Sequence, residues 1–423
     1  MNILLANYRY FVSGGPERYL FNVMDKLETS GHHVVPFSVS HPDNVPSPYD
    51  HHFLSPLSKG GAVYFRELKK NPKVVAKLLG RLFYSFEARQ KLSHLLSRET
   101  IDVAYLLHFL RWISPSILDE FRARNIPVVI RVSDYSYLCP QSHFLRDGDI
   151  CEHCLEGSFW PSVQNRCLHG SLGVSFLNAL SLSFHRHAGM WDKIDAVLCP
   201  SRFMLEKMVE GGVPHHKLFH VPTFVDSAKF TPQYEPGDYF LYFGRIAYEK
   251  GISVLVEAFR RLAAHQENRG GCRLKIVGRS NDGERERLER MIIAQGIKGV
   301  TFHDEQDLST LHETIRKALC VIVPSVWYDN MPNVVLESYA CGKPVIASNL
   351  GSLPEIVVEG KTGFLFPPGD PDHLASLLRA IAENPALACE MGRRAREDAE
   401  TIYSPAAHIR RLVGIFNKLA TKE

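Results

Sequence analysis

The stretch from Pro324 to Gly342, with the apolar segments on either side of it, constrains this chain more than any other feature. Ala318 to Val323 is an apolar run of the kind that forms a buried parallel strand. A loop carrying Asp329 follows. Pro332 then stands where a first helical turn tolerates proline, and Val334, Val335, Tyr339 and Ala340 supply an apolar helix face. Gly342 stops the helix, and Lys343-Pro344-Val345-Ile346-Ala347 opens the next strand. The expectation is a strand–loop–helix–strand unit whose loop lies at the carboxyl end of a strand, where open α/β sheets bind ligands. Asp329 and Glu337 put two carboxylates at that edge, where they can accept hydrogen bonds from a polyol without holding a metal. The plainer alternative is a helix capped by one acid, with the other solvated.

The same unit recurs along the chain. Ile3 to Ala6 is a short apolar strand. Ser13-Gly14-Gly15-Pro16 then leads into a helix with Tyr19, Leu20, Val23, Met24 and Leu27 on one face, and Gly31 precedes a second strand ending at Phe37. Gly15-Pro16 at a helix start leaves free backbone N–H groups, a site for an anion, though a tight turn explains the glycines equally well. This opening is Rossmann-like but lacks the full Gly-x-Gly-x-x-Gly fingerprint, so it does not argue for a nicotinamide cofactor. Ile101 to Leu107 is another strand, ending in His108; Ser114 to Arg124 reads as a helix; and Ile126 to Val132 is a strand running into Ser133-Asp134. Asp134 at a strand end either faces a ligand or caps a turn. In the second half, Tyr239 to Gly244 restarts a sheet and leads to Arg245, Lys250 and a helix from Ile252 to Ala264, and Leu274 to Gly278 is a strand with a glycine turn. Arg245 and Lys250 at a strand end and helix start suit a diphosphate: Arg can bond bidentately, Lys supplies a point charge, and the helix dipole adds to both. A salt-bridged surface loop is the alternative.

A chain of 423 residues holds two or three domains. The expected division is residues 1–190 as a first Rossmann-like domain, 191–235 as its end and a Pro-rich linker, 236–402 as a second Rossmann-like domain, and 403–423 as a helix crossing back to the first. The formal charge of +3 argues against nucleic acid as a partner. No apolar run reaches the roughly 18 residues of a membrane span, and the N-terminus lacks the pattern of a signal peptide, so a cytoplasmic location is expected. His32, His33, His51 and His52 fall in polar loops and read as surface residues.

Two segments stand apart. Residues 59–98 carry ten Lys or Arg against only Glu67 and Glu87, interleaved with aromatic and aliphatic residues. Such a basic amphipathic stretch, helical after Pro72, suits an anionic membrane surface or a lipid-phosphate acceptor; the alternative is a helix packed on a sheet with a solvated basic face. Cys139, Cys151, Cys154 and Cys167 form the second. Cys151 and Cys154 are a chelating pair, with one further Cys on each side, in a stretch that reads as a long loop with little core of its own. A structural zinc on four thiolates is one reading; an iron–sulfur centre or ordinary reduced thiols are the others. A site with four thiolates has no open position for catalysis.

Taken together, the Gly14-Gly15 loop, Arg245-x4-Lys250-Gly251, Pro324-Ser325, the acid-x7-Glu pair, Ala340-Cys341-Gly342-Lys343-Pro344-Val345 and Gly363-Phe364-Leu365 resemble the family-4 glycosyltransferases. The resemblance covers nearly the whole chain and is strongest from Tyr239 to Phe366. It implies an α/β protein of the GT-B type: two doubly wound Rossmann-like domains facing across a cleft. It also implies a retaining enzyme that takes a nucleotide-diphosphate sugar without an essential metal. By that resemblance Arg245 and Lys250 hold the donor diphosphate and Glu337 the ribose. Asp329 and the backbone of Asn330, Met331, Pro332 and Asn333 hold the sugar hydroxyls, and the Gly14-Gly15 loop meets phosphate and acceptor. Gly244 and Gly278, each at the end of an expected strand, are taken as donor-binding positions. The catalytic set is Asp134, Asp329, Arg245 and Lys250. Two departures from the family pattern matter. Asp329 stands where Glu is usual, and Ser133 precedes Asp134 where a His is often found, which leaves Asp134 and then His108 as substitutes. The resemblance, with the basic 59–98 stretch, points to a glycan or lipid-linked acceptor in bacterial polysaccharide or glycolipid assembly, at the inner membrane face. A sugar-nucleotide epimerase and a non-catalytic nucleotide-sugar-binding scaffold are the competing expectations.

Overall fold

The computed structural model describes residues 1–57, 71–264, 272–280 and 282–421. The apolar runs form two six-stranded sheets, every neighbouring pair of strands parallel. The first uses β1 (Asn2–Ala6), β2 (His33–Phe37), β3 (Val103–Leu106), β4 (Val128–Arg131), β7 (Ala196–Cys199) and β8 (Leu218–His220), in the order β2-β1-β3-β4-β7-β8. A small antiparallel hairpin, β5 (Leu145–Arg146) and β6 (Asp149–Ile150), lies apart from it. The second sheet uses β9 (Phe240–Phe243), β10 (Leu274–Val277), β11 (Val300–His303), β12 (Cys320–Val323), β13 (Val345–Ser348) and β14 (Gly363–Phe366), ordered β11-β10-β9-β12-β13-β14.

Burial on both faces explains why these strands read as unbroken apolar runs. In β1, Leu4 and Ala6 join one core while Ile3 and Leu5 join the core on the opposite face. Strand order in the second sheet reverses between β9 and β12. Ligand crevices form outside the carboxyl ends at such a reversal. The loops there begin at Gly244 and Pro324, the two stretches singled out in the sequence.

The final helix, Pro405–Ala420, crosses back onto the first domain. Phe416 packs edge-on against Tyr105 at 5.5 Å. His408 bonds to Pro222 O at 2.7 Å and to the Tyr19 hydroxyl at 2.9 Å. Full burial, with Arg131 nearby, lowers its pKa to about 3, so the imidazole is neutral and one ring nitrogen donates while the other accepts.

Several expectations change. The strand expected from Ala318 starts at Cys320, and the helix expected over 114–124 is Ile117–Ala123. The cysteine insert is not a loop without a core. Cys139, Phe144, Cys154, Leu155, Phe159 and Val163 are all buried in the first domain's core, because large apolar side chains spaced along the loop outweigh its Gly and Asp content. A helix that the sequence reading did not anticipate, Leu172–His187, follows it. His52 is no surface residue. It is only 2% exposed and lies 3.3 Å from His94, and burial beside other cationic groups lowers its pKa to about 4.

Of the basic 59–98 stretch, residues 58–70 lie outside the described residues. Helix formation from Pro72 holds, over Pro72–Phe83. Its cations are not all on a solvated face: Arg81 is buried and donates to Ser55 O beside Glu87, and Lys77 donates to Pro56 O at 3.1 Å.

Candidate active site

The carboxyl ends of both sheets face each other across a cleft of about 410 Å³. Gly15, Arg18, Arg131 and Asp134 line it from the first domain; Gly244, Arg245, Lys250, Asp329, Asn330, Met331, Pro332 and Asn333 line it from the second. Most of the residues picked from the sequence therefore converge on one space. Gly14, Gly278 and Glu337 are not among its lining residues; Gly278 acts on the packing behind it, where a Cβ would stand 1.8 Å from Gly244 O, so its missing side chain lets the β9 and β10 loops touch.

Asp329 is neither a helix cap nor solvated. It is 5% exposed, and both carboxylate oxygens accept from Lys250 Nζ at 2.8 Å, with the Ser325 hydroxyl donating to one of them at 2.6 Å. Trp327 lies under the Lys250 ammonium at 5.1 Å, a cation–π contact. Arg245 pairs with Glu249. Each cation that the sequence assigns to a diphosphate thus has a carboxylate partner in its own domain.

The loop after Asp329 is fixed by a residue the sequence reading passed over. Met331 has a φ of 52°, in the left-handed region that costs a residue with a Cβ about 1 kcal/mol. Ser352 offsets that cost. Its Oγ accepts from Met331 N–H at 2.7 Å and its hydroxyl donates to Asp329 O at 2.7 Å. Asn330 reaches the other domain, donating to Val132 O at 3.3 Å and accepting from Ser201 Oγ at 3.3 Å. Glu355 does the same, accepting from the backbone N–H groups of Arg202 and Phe203 at 2.7 and 2.6 Å and so capping the first domain's Arg202–Glu210 helix.

Glu337 sits in the Asn333–Ala340 helix, 7% exposed, and accepts from Arg18 Nη1 of the first domain at 2.8 Å. Burial pushes its carboxyl above the usual carboxylate range, and Arg18 opposes that. The pairing joins positions 319 apart and leaves no local trace in the sequence.

Asp134 lies at the end of β4. Burial would raise its carboxyl, but His108, with Nε2 at 3.9 Å, the Ser136 N–H at 2.9 Å and Arg111 together hold it below the usual range. It is therefore an anion at neutral pH, suited to accept a hydrogen bond from a hydroxyl. His143 packs at a tilt against Trp327, ring centroids 5.0 Å apart, and burial lowers its pKa.

The four cysteines gather near one another. Cys139, Cys167 and Cys151 all act on the Cys154 thiol, which burial and these neighbours push up to about 12. Among the described residues, no three His, Cys, Asp or Glu side chains stand ready to hold a metal ion.

Two Rossmann-like domains with parallel sheets, a cleft between their carboxyl edges and a helix crossing back define the GT-B fold. Solved structures agree over the full chain. Sucrose-phosphate synthase from Thermosynechococcus elongatus superposes with a TM-score of 0.73 at 19% identity, covering 100% of both chains. Anabaena HepE in complex with UDP-glucose gives 0.65 at 15% identity, covering 99% of this chain and 100% of that one. At such identities the likeness is one of fold. Residues 226–398, the end of the linker and most of the second domain, match the family model of glycosyl transferases group 1. A glycogen synthase of Mycobacterium tuberculosis is 32% identical over 179 residues, 40% of this chain. The match spans only 41% of that relative's length. An amylovoran biosynthesis glycosyltransferase of Erwinia amylovora is 26% identical over 66% of this chain and 69% of its own.

Proposed function

We propose that the chain transfers a sugar from a nucleotide-diphosphate sugar to an acceptor hydroxyl with retention of anomeric configuration. The observation that carries this reading is the Lys250–Asp329 pair, with Arg245 beside it, at the point where strand order reverses. An arriving diphosphate competes for Lys250 and Arg245, releasing Asp329 to accept from the sugar hydroxyls while Ser325 keeps it in place. Glu337, freed from Arg18, would accept from the ribose. The acceptor oxygen bonds to the anomeric carbon on the face from which the diphosphate leaves. The bond from that carbon to the diphosphate oxygen breaks, and a phosphate oxygen takes the hydroxyl proton. Cations fixed at the leaving group are the protein's main contribution to rate in such a step. Asp134 orients the acceptor hydroxyl. No catalytic metal is invoked.

The solved relative that holds UDP-glucose makes uridine nucleotides the first to try. A thermal-shift panel with UDP, GDP, ADP and their sugars tests the reading, run beside Arg245→Ala/Lys250→Ala. One nucleotide raises the melting temperature of the native protein and not of the variant. No shift at millimolar concentration would make the cleft something other than a donor site.

For the acceptor we favour a glycan or lipid-linked chain of a cell-surface polysaccharide, with the protein peripheral at the inner membrane face. Support comes from the helix Leu172–His187, which packs beside Pro72–Phe83 and exposes Leu172, Phe176, Leu177, Leu180 and Phe184. Among the described residues no helix is long and apolar enough to cross a membrane. Co-sedimentation with anionic but not zwitterionic vesicles is expected, and its absence would remove the membrane from the reading.

A structural zinc on the insert is a separate proposal, supported by four thiols gathered on one segment. Zinc would draw them to about 2.3 Å from the metal. Elemental analysis of purified protein should find one zinc per chain, lost in Cys151→Ser/Cys154→Ser together with a lower melting temperature. Zinc-free protein of unchanged stability would leave them as reduced thiols.

A further inference from the structure

The cleft holds a cation with no carboxylate partner. Arg18 pairs with Glu337, Arg245 with Glu249 and Lys250 with Asp329. Arg131, the last residue of β4, is 6% exposed, lines the cleft and, among the described residues, has no acid within ion-pair distance. One Nη donates to the Thr223 hydroxyl at 2.6 Å, and its guanidinium lies over the Tyr19 ring at 4.1 Å. Its Nε and other Nη are buried with no hydrogen-bond partner. Burying a guanidinium with two donors unpaired is expensive, and such a group is expected where an anion completes it.

The surroundings favour an anion. The Gly15–Thr29 helix begins at the cleft, and a Cβ on Gly15 would lie 3.1 Å from Asn333 Nδ2, at the start of the Asn333–Ala340 helix. The positive ends of two helix dipoles, one from each domain, thus meet in the cleft that Arg131 lines. The first-turn acid Glu17 does not cancel them: it is held by the Ser13 hydroxyl at 3.0 Å and by Arg9 at 3.6 Å.

We infer that Arg131 is an oxyanion-binding residue of the first domain, taking a phosphoryl or carboxylate group through its two free donors. The inference rests on the cleft being the transfer site. The group comes either from the donor diphosphate or from an anionic acceptor. Arg131 differs from Arg245 and Lys250 in needing no carboxylate to let go before it binds.

Calorimetric titration with inorganic pyrophosphate tests this in the Arg245→Ala/Lys250→Ala background, where the second domain's cations are gone. Residual binding is expected to weaken about tenfold further on Arg131→Gln and to recover in part with Arg131→Lys. In the otherwise native protein, Arg131→Gln then separates the sources. A loss of nucleoside diphosphate affinity assigns the group to the donor, and a raised acceptor KM at unchanged nucleotide affinity assigns it to the acceptor. If pyrophosphate binding, nucleotide affinity and acceptor KM all stay put while only the melting temperature falls, Arg131 is a brace for the Thr223 linker and the inference is overturned. If the native protein binds no nucleotide yet holds pyrophosphate through Arg131, sugar transfer falls and the anion site stands.

Discussion

Replacing Lys250 with alanine is expected to lower kcat/KM for sugar transfer by about a hundredfold or more, the scale seen when one fixed donor to a developing negative charge is removed. Two effects add. In the proposed reaction the leaving diphosphate would lose a cation held against Trp327 at the edge of the cleft. Asp329, 5% exposed, is left with only the Ser325 hydroxyl, so the group we propose to orient the sugar becomes a buried carboxylate without a counter-charge. Leaving such a group unsatisfied costs about 1–3 kcal/mol, so a modest fall in melting temperature should accompany the kinetic loss. The Lys250→Ala/Asp329→Asn double variant separates the two, since the amide needs no counter-charge: it should recover stability but not turnover. Wild-type turnover in Lys250→Ala, measured at saturating and at limiting donor, would remove this lysine from the chemistry.

Gly251→Ala is expected to destabilise the second domain by about 3 kcal/mol and to abolish donor binding. Gly251 has a φ of 67°, and a Cβ on it would lie 1.9 Å from Pro324 O. The left-handed backbone costs a residue with a Cβ about 1–2 kcal/mol, and pressing a methyl into packed backbone adds about 1–3 more. The clash falls between the loop that carries Lys250 and the loop that carries Asp329, so relieving it moves apart two groups that now meet at 2.8 Å. Gly360 is the control: its φ is 70°, with nothing within 4 Å of the Cβ position. Gly360→Ala should show the backbone cost alone. A melting difference between the two variants of about 2–8 °C is expected, at roughly 2–4 °C per kcal/mol for a domain of this size. Equal melting points would mean that the Pro324 loop yields freely.

Much of this cleft was legible in the chain. Parallel strands buried on both faces must be continuous apolar runs, and the loops after them must sit on one edge, so Gly244-Arg245 and Pro324-Asp329 could be placed together without coordinates. Local chemistry also located the helix starts at Gly15 and Pro72. The insert misled because Gly, Asp and Pro signal loops whether or not the loop packs. Phe144, Leu155 and Phe159 carried the contrary signal, but no periodicity organised it. Gly351 to Glu355 reads in the sequence as one more strand-end loop, and only the strained Met331 opposite gives its Ser352 a task.

From residue order alone follow the two Rossmann-like units, the strand ends that bear the polar residues, and the presence of two cations and two acids at one sheet edge. These rest on periodicity and turn chemistry, which act over a few residues. Folding within the second domain set Lys250 on Asp329 and Arg245 on Glu249, and the docking of the domains decided the rest. Docking set Arg18 on Glu337, Asn330 on Val132 and Glu355 on the Arg202–Glu210 helix, and it left Arg131 without a carboxylate among the described residues. A charge's partner depends on distance in space, and contacts between residues more than a hundred positions apart are written in no local pattern.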